Sequence, residues 1–440
     1  MRRLALACLV LAAPAGAQAP ETDVSEARLK SSVETLAGFG TRHTLSSQTD
    51  PKRGIGAARA WGEGEFRKTS AACGGCLEIA LPEKMVSGNR IPDPVRLVDV
   101  VAIQRGSERP NEVVIVQGHI DSMPSDVLDP NSDAPGANDD ASGSSLVLEA
   151  ARVLSRHKYP TTIVYALLSG EEQGLYGGAL LAEYAKAQGW TVKAVLNNDI
   201  VGGTCGSDGV CDDSHVRVFS EGPRADADDK LRAAQRASGG ENDSPSRNLS
   251  RFVGQLAEPA ADGLAVRQVW RVDRAHRGGD HFPFLAAGYP AIRFTAAIEN
   301  YNRQHQNVRT ENGVEYGDTP DHVDFPYLAK VTRLNVRTLD RLARAPLPPV
   351  STADSAVKTY TKLTWMPVAG AASYTIWQRR TDQPYWNDKP LKAGIAGSEA
   401  TLDGVRGDDW FFGVSSVSAD GAESPVASAL PGGGFGPAAP

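Results

Sequence analysis

The sequence predicts an α/β fold with a mixed, largely parallel central sheet and helices on both faces, followed by a small C-terminal all-β sandwich. Three observations predict it. Apolar, β-branched runs recur at 97–106, 112–120, 161–169 and 194–201, and helical patterns separate the later ones. A strand–helix–strand order of this kind builds an α/β sheet. The runs are continuous rather than alternating, as in strands covered on both faces. After the proline-rich APLPPV (345–350), the pattern changes to short alternating segments with turn residues between them, as a β-sandwich requires.

A chain of 440 residues is too long for one ordinary core. The expected division is a signal peptide at 1–17, the α/β domain at 22–345, a linker at 346–350, the sandwich at 351–430 and a flexible tail at 431–440. Apolar residues make up 41% and charged residues 22%, which excludes wholesale disorder. The net charge is −7 and no basic block exists, so no nucleic acid is expected as a partner.

The chain starts with Arg2 and Arg3, an apolar stretch from 4 to 13, and Ala15-Gly16-Ala17 as a cleavage signature. That three-part pattern predicts secretion, or export to the periplasm. The apolar stretch is too short to span a bilayer, and no other segment qualifies. Cleavage leaves Cys73, Cys76, Cys205 and Cys211, whose spacing favours two local disulfides in an oxidising compartment.

Helical patterns are expected at 22–38 and 55–70. Strands follow at 97–106 and 112–120, a helix at 141–156, a strand at 161–169, a helix at 179–188 and a strand at 194–201. Residues 203–216 read as a loop, 216–222 as a strand and 224–237 as a helix. The polar stretch 238–265 is expected to cover the site and, with the 203–215 loop, to line its pocket. A helix, turn and strand are expected across 281–296, a long polar loop over 300–320, and a last helix over 327–345.

Ligands of such sheets bind beyond the carboxyl ends of the strands. His119, Asp121, Glu171, Glu172 and Asp199 fall at those ends, and Asp139-Asp140 at a helix start. Buried acids and a histidine there need a partner, and a pair of divalent metal ions is the expected one. His119 suits a metal ligand, with Asp121 two residues on to fix its imidazole. Asp139 is placed to bridge, and the small residues at 141–143 let backbones approach closely. Glu171 and Glu172 point apart, so one can bind metal while the other holds a water as general base. Asp199 is a terminal ligand. Each piece alone also fits a cap or a solvated helix start; the combination does not.

These motifs together, H-x-D, N-D-D-A-S-G, S-G-E-E-x-G-L-x-G, N-N-D-x-x-G and a late G-D-H-F-P-F, resemble the co-catalytic zinc aminopeptidase family. That family includes bacterial leucyl aminopeptidases and is related to glutamate carboxypeptidases and glutaminyl cyclases. The resemblance covers roughly residues 30–345 and implies a zinc exopeptidase fold with two Zn2+ and peptide substrates. It implies that His119, Asp139 and Asp199 bind one zinc, and that Asp139, Glu172 and a late histidine bind the other. Glu171 would be the general base, Asp121 would orient His119, the Asp139–Asp140 peptide would be cis, and Asp280-His281 would lie on the substrate side. The family's compact His-Thr-Pro-x-Asp-Thr is split here. His305 precedes an inserted loop and His322 follows Thr319-Pro320; the approach from the preceding strand favours His305.

Aminopeptidase action is the expected activity. A carboxypeptidase or dipeptidase on the same fold is the first alternative, with Arg293 or Arg303 as a conceivable carboxylate clamp. A glutaminyl cyclase-like transferase and a non-catalytic binding protein follow. The pattern around Leu363-x-Trp365, Tyr374 and Trp410-x-Phe412-x-Val414 resembles a fibronectin type III module, which could contact a surface or polymer, or be removed on maturation.

Overall fold

The computed structural model describes residues 19–438; the expected signal peptide lies outside them. An eight-stranded mixed sheet forms the centre. Its strands are ordered Glu78–Ala80, Val100–Gln104, Thr161–Leu168, Arg109–His119, Thr191–Asn198, Ala291–Ala296, His215–Phe219 and Ala265–Val269. The four middle strands run parallel, with Ile115 paired to both Val164 and Val195 and Leu196 to Ile292.

The continuous apolar runs arise because alternate side chains enter two different cores. Val114, Val116, Ile163 and Tyr165 pack with helices Glu26–Ala37, Ala141–Leu154 and Phe325–Arg344. Val113, Ile115, Val164 and Ala166 face the opposite side, with Leu181, Ala185 and Phe284. The sheet is therefore sealed on both faces, and its ligand-accessible edge is the row of strand carboxyl ends.

Two expectations change here. The 97–106 run is not one strand. It breaks at Asp99 into Ile91–Val98, which pairs with Glu83–Gly88 in a separate hairpin, and Val100–Gln104 of the central sheet. Asp99 is fully buried and accepts the Ser169 N–H, a bond that a continuous ladder would not need. The 238–265 stretch holds a helix, Pro245–Ala257, capped by the Ser244 hydroxyl.

The C-terminal part contains a three-stranded and a four-stranded antiparallel sheet. They share one apolar core of Leu363, Trp365, Tyr374, Ile376, Leu402, Phe412 and Val414. The linker prolines Pro346, Pro348 and Pro349 are buried rather than exposed. Residues 431–438 are not a loose tail. Arg224 donates to Gly434 O at 3.0 Å and the Ala438 N–H to Asp226 Oδ2 at 2.7 Å, so the end of the chain returns to the larger domain. Both expected disulfides, Cys73–Cys76 and Cys205–Cys211, are formed. Among the described residues no helix is long and apolar enough to cross a membrane.

Candidate metal centre and substrate cavity

The strand Arg109–His119 ends on His119, and Thr191–Asn198 ends one residue before Asp199. The Asp139-Asp140 turn closes the space between them. The Asp139–Asp140 peptide is cis. Asp140 is the cap of helix Ala141–Leu154, accepting the Gly143 N–H at 2.9 Å, and it also accepts the His119 N–H at 3.0 Å. Asp139 is thereby freed from capping. The close approach expected at 141–143 is real: a Cβ on Gly143 would lie 2.3 Å from Asn198 O.

Asp139 stands between two imidazoles. His119 Nε2 is 3.1 Å from Asp139 Oδ1 and 3.9 Å from Asp199 Oδ1. His305 Nε2 is 3.2 Å from Asp139 Oδ2 and 3.0 Å from Glu172 Oε2. His119, Asp139 and Glu172 each offer a ligand atom, all within 4.8 Å of one another. His119 Nε2, Asp139 Oδ2 and Glu172 Oε1 are buried without an aligned hydrogen bond. Buried polar atoms left this way are costly, and an imidazole nitrogen with carboxylate oxygens is a zinc donor set. The residues therefore fit a zinc site.

Charge in the cluster is strongly coupled. Burial opposes protonation of His119, yet Asp121, Asp139 and Asp199 hold its imidazole well above the usual value. His305 is also raised against burial, by Glu172 and Asp139. Burial would raise Asp199 too, but Arg293 and His119 bring it down to about 2. An excess of buried carboxylate that draws cations to itself is the electrostatic form of a metal site.

The structure brings together His119, Asp121, Asp139, Glu171, Glu172, Asp199 and His305. His322 lies apart, 3.7 Å from Glu315. Asp121 lies beside His119 as expected, its carboxylate 3.6 Å from the imidazole Nδ1, and it does more. His119 Nδ1 hydrogen-bonds its backbone carbonyl at 3.2 Å, while the carboxylate accepts the Glu171 and Glu172 N–H groups at 3.3 and 3.2 Å. One residue thus orients both the histidine and the paired glutamates. The Glu171 carboxylate faces the cavity and accepts no hydrogen bond among the described residues; burial pushes it well above the usual carboxylate range.

Asp280 and His281 are not in the cavity wall. Both are fully buried; Asp280 accepts the Gly178 N–H at 3.1 Å and His281 Nε2 bonds Val272 O at 2.9 Å. Packing under helix Tyr176–Ala187 replaces the expected substrate contact. Arg293 is no substrate clamp either. It is buried against Asp199 at 2.9 Å and Asp273 at 3.0 Å.

Two other contributors carry no local motif. Asp318 accepts both the Asn138 and Asp139 N–H groups, at 2.8 and 2.7 Å. Arg42 donates to Ile120 O at 2.6 Å and Gly136 O at 2.9 Å, bracing the same turn. The cavity, about 450 Å³, is walled by Arg90, Leu175, Arg274, His276, Arg277 and Gly278 beside the acidic cluster. Neither 203–215 nor 238–265 contributes to it; helix Pro245–Ala257 packs against the central-sheet strands Ala265–Val269 and Ala291–Ala296 and helix Phe325–Arg344, and also meets the C-terminal strand Ala427–Ser428. His276 is an exposed part of this wall.

The sequence profile of peptidase family M28 matches residues 99–335, the span that holds all of these residues except Arg42 and Arg90. The chain belongs to peptidase family M28. A probable zinc metalloprotease of Leptosphaeria maculans is 42% identical to this M28 peptidase over 420 residues, covering 94% of this chain and 97% of that one. A probable zinc metalloprotease of Pyricularia oryzae is 42% identical over 426 residues, covering 94% and 84%. Among solved structures, LapB of Legionella pneumophila matches with a TM-score of 0.54 and 21% identity over 73% of each chain. A glutaminyl cyclase of Fimbriiglobus ruber matches with a TM-score of 0.52 and 18% identity, over 72% of this chain and 95% of that one. The structural matches establish the zinc exopeptidase fold. Together with the relatives, the family match makes this chain a zinc metallopeptidase of family M28.

Proposed function

We propose that this M28 peptidase is a secreted or periplasmic exopeptidase that removes N-terminal residues from peptides with two zinc ions. The observation that carries the reading is the position of Asp139, one oxygen toward His119 and the other toward His305. Asp139 would join the two ligand sets, His119 with Asp199 and Glu172 with His305. Zinc held there would supply a Lewis acid that lowers the pKa of a bound water and polarises the scissile carbonyl.

The chain's own residues do the rest. Glu171, with no hydrogen bond to compete, takes a proton from the attacking water and passes it to the leaving amine. Asp121 fixes the backbone that presents Glu171 and Glu172. Arg293 holds Asp199 in its ligand position, and Asp318 holds Asp139 through its N–H. Export is supported by the N-terminal signature and by two disulfides. The two C-terminal sheets are proposed to form a fibronectin type III-like module.

Replacing Glu171 by Gln tests the assignment. We expect kcat on an aminoacyl peptide to fall by roughly 10²-fold or more, the scale of general-base catalysis, with metal content unchanged. Near-wild-type kcat would remove Glu171 from its role. A glutaminyl cyclase reading is disfavoured by His119, which completes the first ligand set; ring closure of an N-terminal glutaminyl peptide, without hydrolysis, would restore it.

A further inference from the structure

We infer that the substrate carries a carboxylate close to the scissile bond, and that Arg90 and Arg277 bind it. The inference rests on the peptidase reading of the cavity and names the substrate class of that same site.

The charged side chains of the wall fall into two groups. The acidic ones, Asp139, Glu171, Glu172 and Asp199, are the proposed ligands and base. Apart from His276 and the proposed ligand His305, every other charged or ionisable side chain on the wall is an arginine: Arg90, Arg274 and Arg277. Among the described residues no further carboxylate lines the cavity to hold a second positive charge on the substrate.

The three arginines are not equivalent. Arg274 is committed: Nε bonds Asp273 at 3.0 Å and Nη1 bonds Glu299 at 2.7 Å. Arg277 uses only Nη1, toward Gln304 Oε1 at 2.9 Å and Glu299 at 3.5 Å. Arg90 also uses only Nη1, toward Glu172 O at 2.8 Å. In both, Nε and Nη2 have no partner among the described residues. That free pair is the edge of a guanidinium that meets a carboxylate with two parallel hydrogen bonds.

Each Nη1 contact also aims its arginine. Arg90, otherwise exposed, is tied to the backbone of Glu172, a proposed ligand, so its guanidinium is held beside the proposed reacting centre. Arg277 is tied to Gln304, the residue before His305. Both guanidinium groups are therefore held to the metal cluster through the main chain or the next residue. A carboxylate bound there lies near the bond to be cut, so it belongs to a short peptide's C-terminus or to an acidic terminal side chain.

Three substrates separate these sources: alanyl-alanine, alanyl-alanine amide and glutamyl-alanine amide, each with and without a chelator. The expected result is a kcat/KM about tenfold or more higher for at least one carboxylate-bearing peptide than for alanyl-alanine amide, the scale of a charge-assisted pair. An advantage confined to alanyl-alanine assigns the subsite to the C-terminus; one confined to glutamyl-alanine amide assigns it to the side chain. In Arg277→Gln and Arg90→Gln the ratio of carboxylate to neutral substrate should collapse toward one. Calorimetric binding to the zinc-loaded Glu171→Gln protein should show the same preference without turnover. Equal, chelator-sensitive kcat/KM on all three peptides overturns the inference and leaves the peptidase reading intact. No hydrolysis of any peptide overturns both.

Discussion

Asp318 shows how much of this site is set by residues that would touch neither metal nor substrate. Its carboxylate receives the N–H groups of Asn138 and Asp139 from a loop far along the chain, and burial lifts it to about 7. Removing it leaves two buried donors without an acceptor, at about 1–3 kcal/mol each, and frees the backbone that aims Asp139. Asp318→Ala is therefore expected to weaken zinc binding by roughly 10–100-fold, the usual effect of losing a supporting partner. Competition against a chelator measures it; unchanged affinity would show that the turn holds its shape without Asp318. Among the proposed ligands, His119, Asp139, Glu172 and Asp199 were legible in the sequence because a strand end or helix start marked each one, whereas His305 lies in a loop and followed only from the family resemblance. Arg42, Arg90 and Asp318 were not, because their partners are remote in the chain and backbone contacts leave no motif. Asp280-His281 misled for the opposite reason, since a local motif resembled a substrate contact while packing buried it.

The elements divide the same way. The parallel core strands were legible from continuous apolar runs, since two-sided burial dictates that pattern. The break at Asp99 was hidden, because flanking valines continue the run in composition though not in pairing. Helix Pro245–Ala257 was obscured by its arginines. Leu249, Phe252 and Val253 face the core, but Arg247 and Arg251 are buried too. Their guanidinium groups lie over Trp270, and Arg251 donates to Pro384 O at 2.8 Å. The strand Ser373–Arg380 completes this contact: Arg379 pairs with the buried Asp243 at 2.6 Å. Arg379→Ala would leave Asp243 with Arg251 at 3.7 Å. Breaking a buried pair costs about 3–5 kcal/mol, and the remaining arginine keeps this case at the lower end. A lower unfolding midpoint and faster proteolysis at the 345–351 junction are expected; neither change would mean that the two parts are held by other contacts.

At the scale of the whole molecule, the two parts form a single packed body. Arg379, Trp386 and Ser428 of the C-terminal part bond Asp243 and Asn248, and residues 434–438 bond Arg224 and Asp226. Trp270, pressed by Tyr385 at 6.0 Å, immediately precedes the 271–278 segment that walls the cavity and supplies Asp273 to Arg293. The change of composition after residue 345 revealed the sandwich; the extent of its docking lay in contacts between distant charged residues. The proposed metal centre would depend on Asp139 serving two ligand sets, one closed by Asp199 and the other by His305. The most direct test is elemental analysis of the zinc-equilibrated chain beside His305→Ala. We expect about two zinc ions per chain, falling to about one in the variant; a single zinc in the unaltered chain, or two retained without His305, would contradict the two-metal reading.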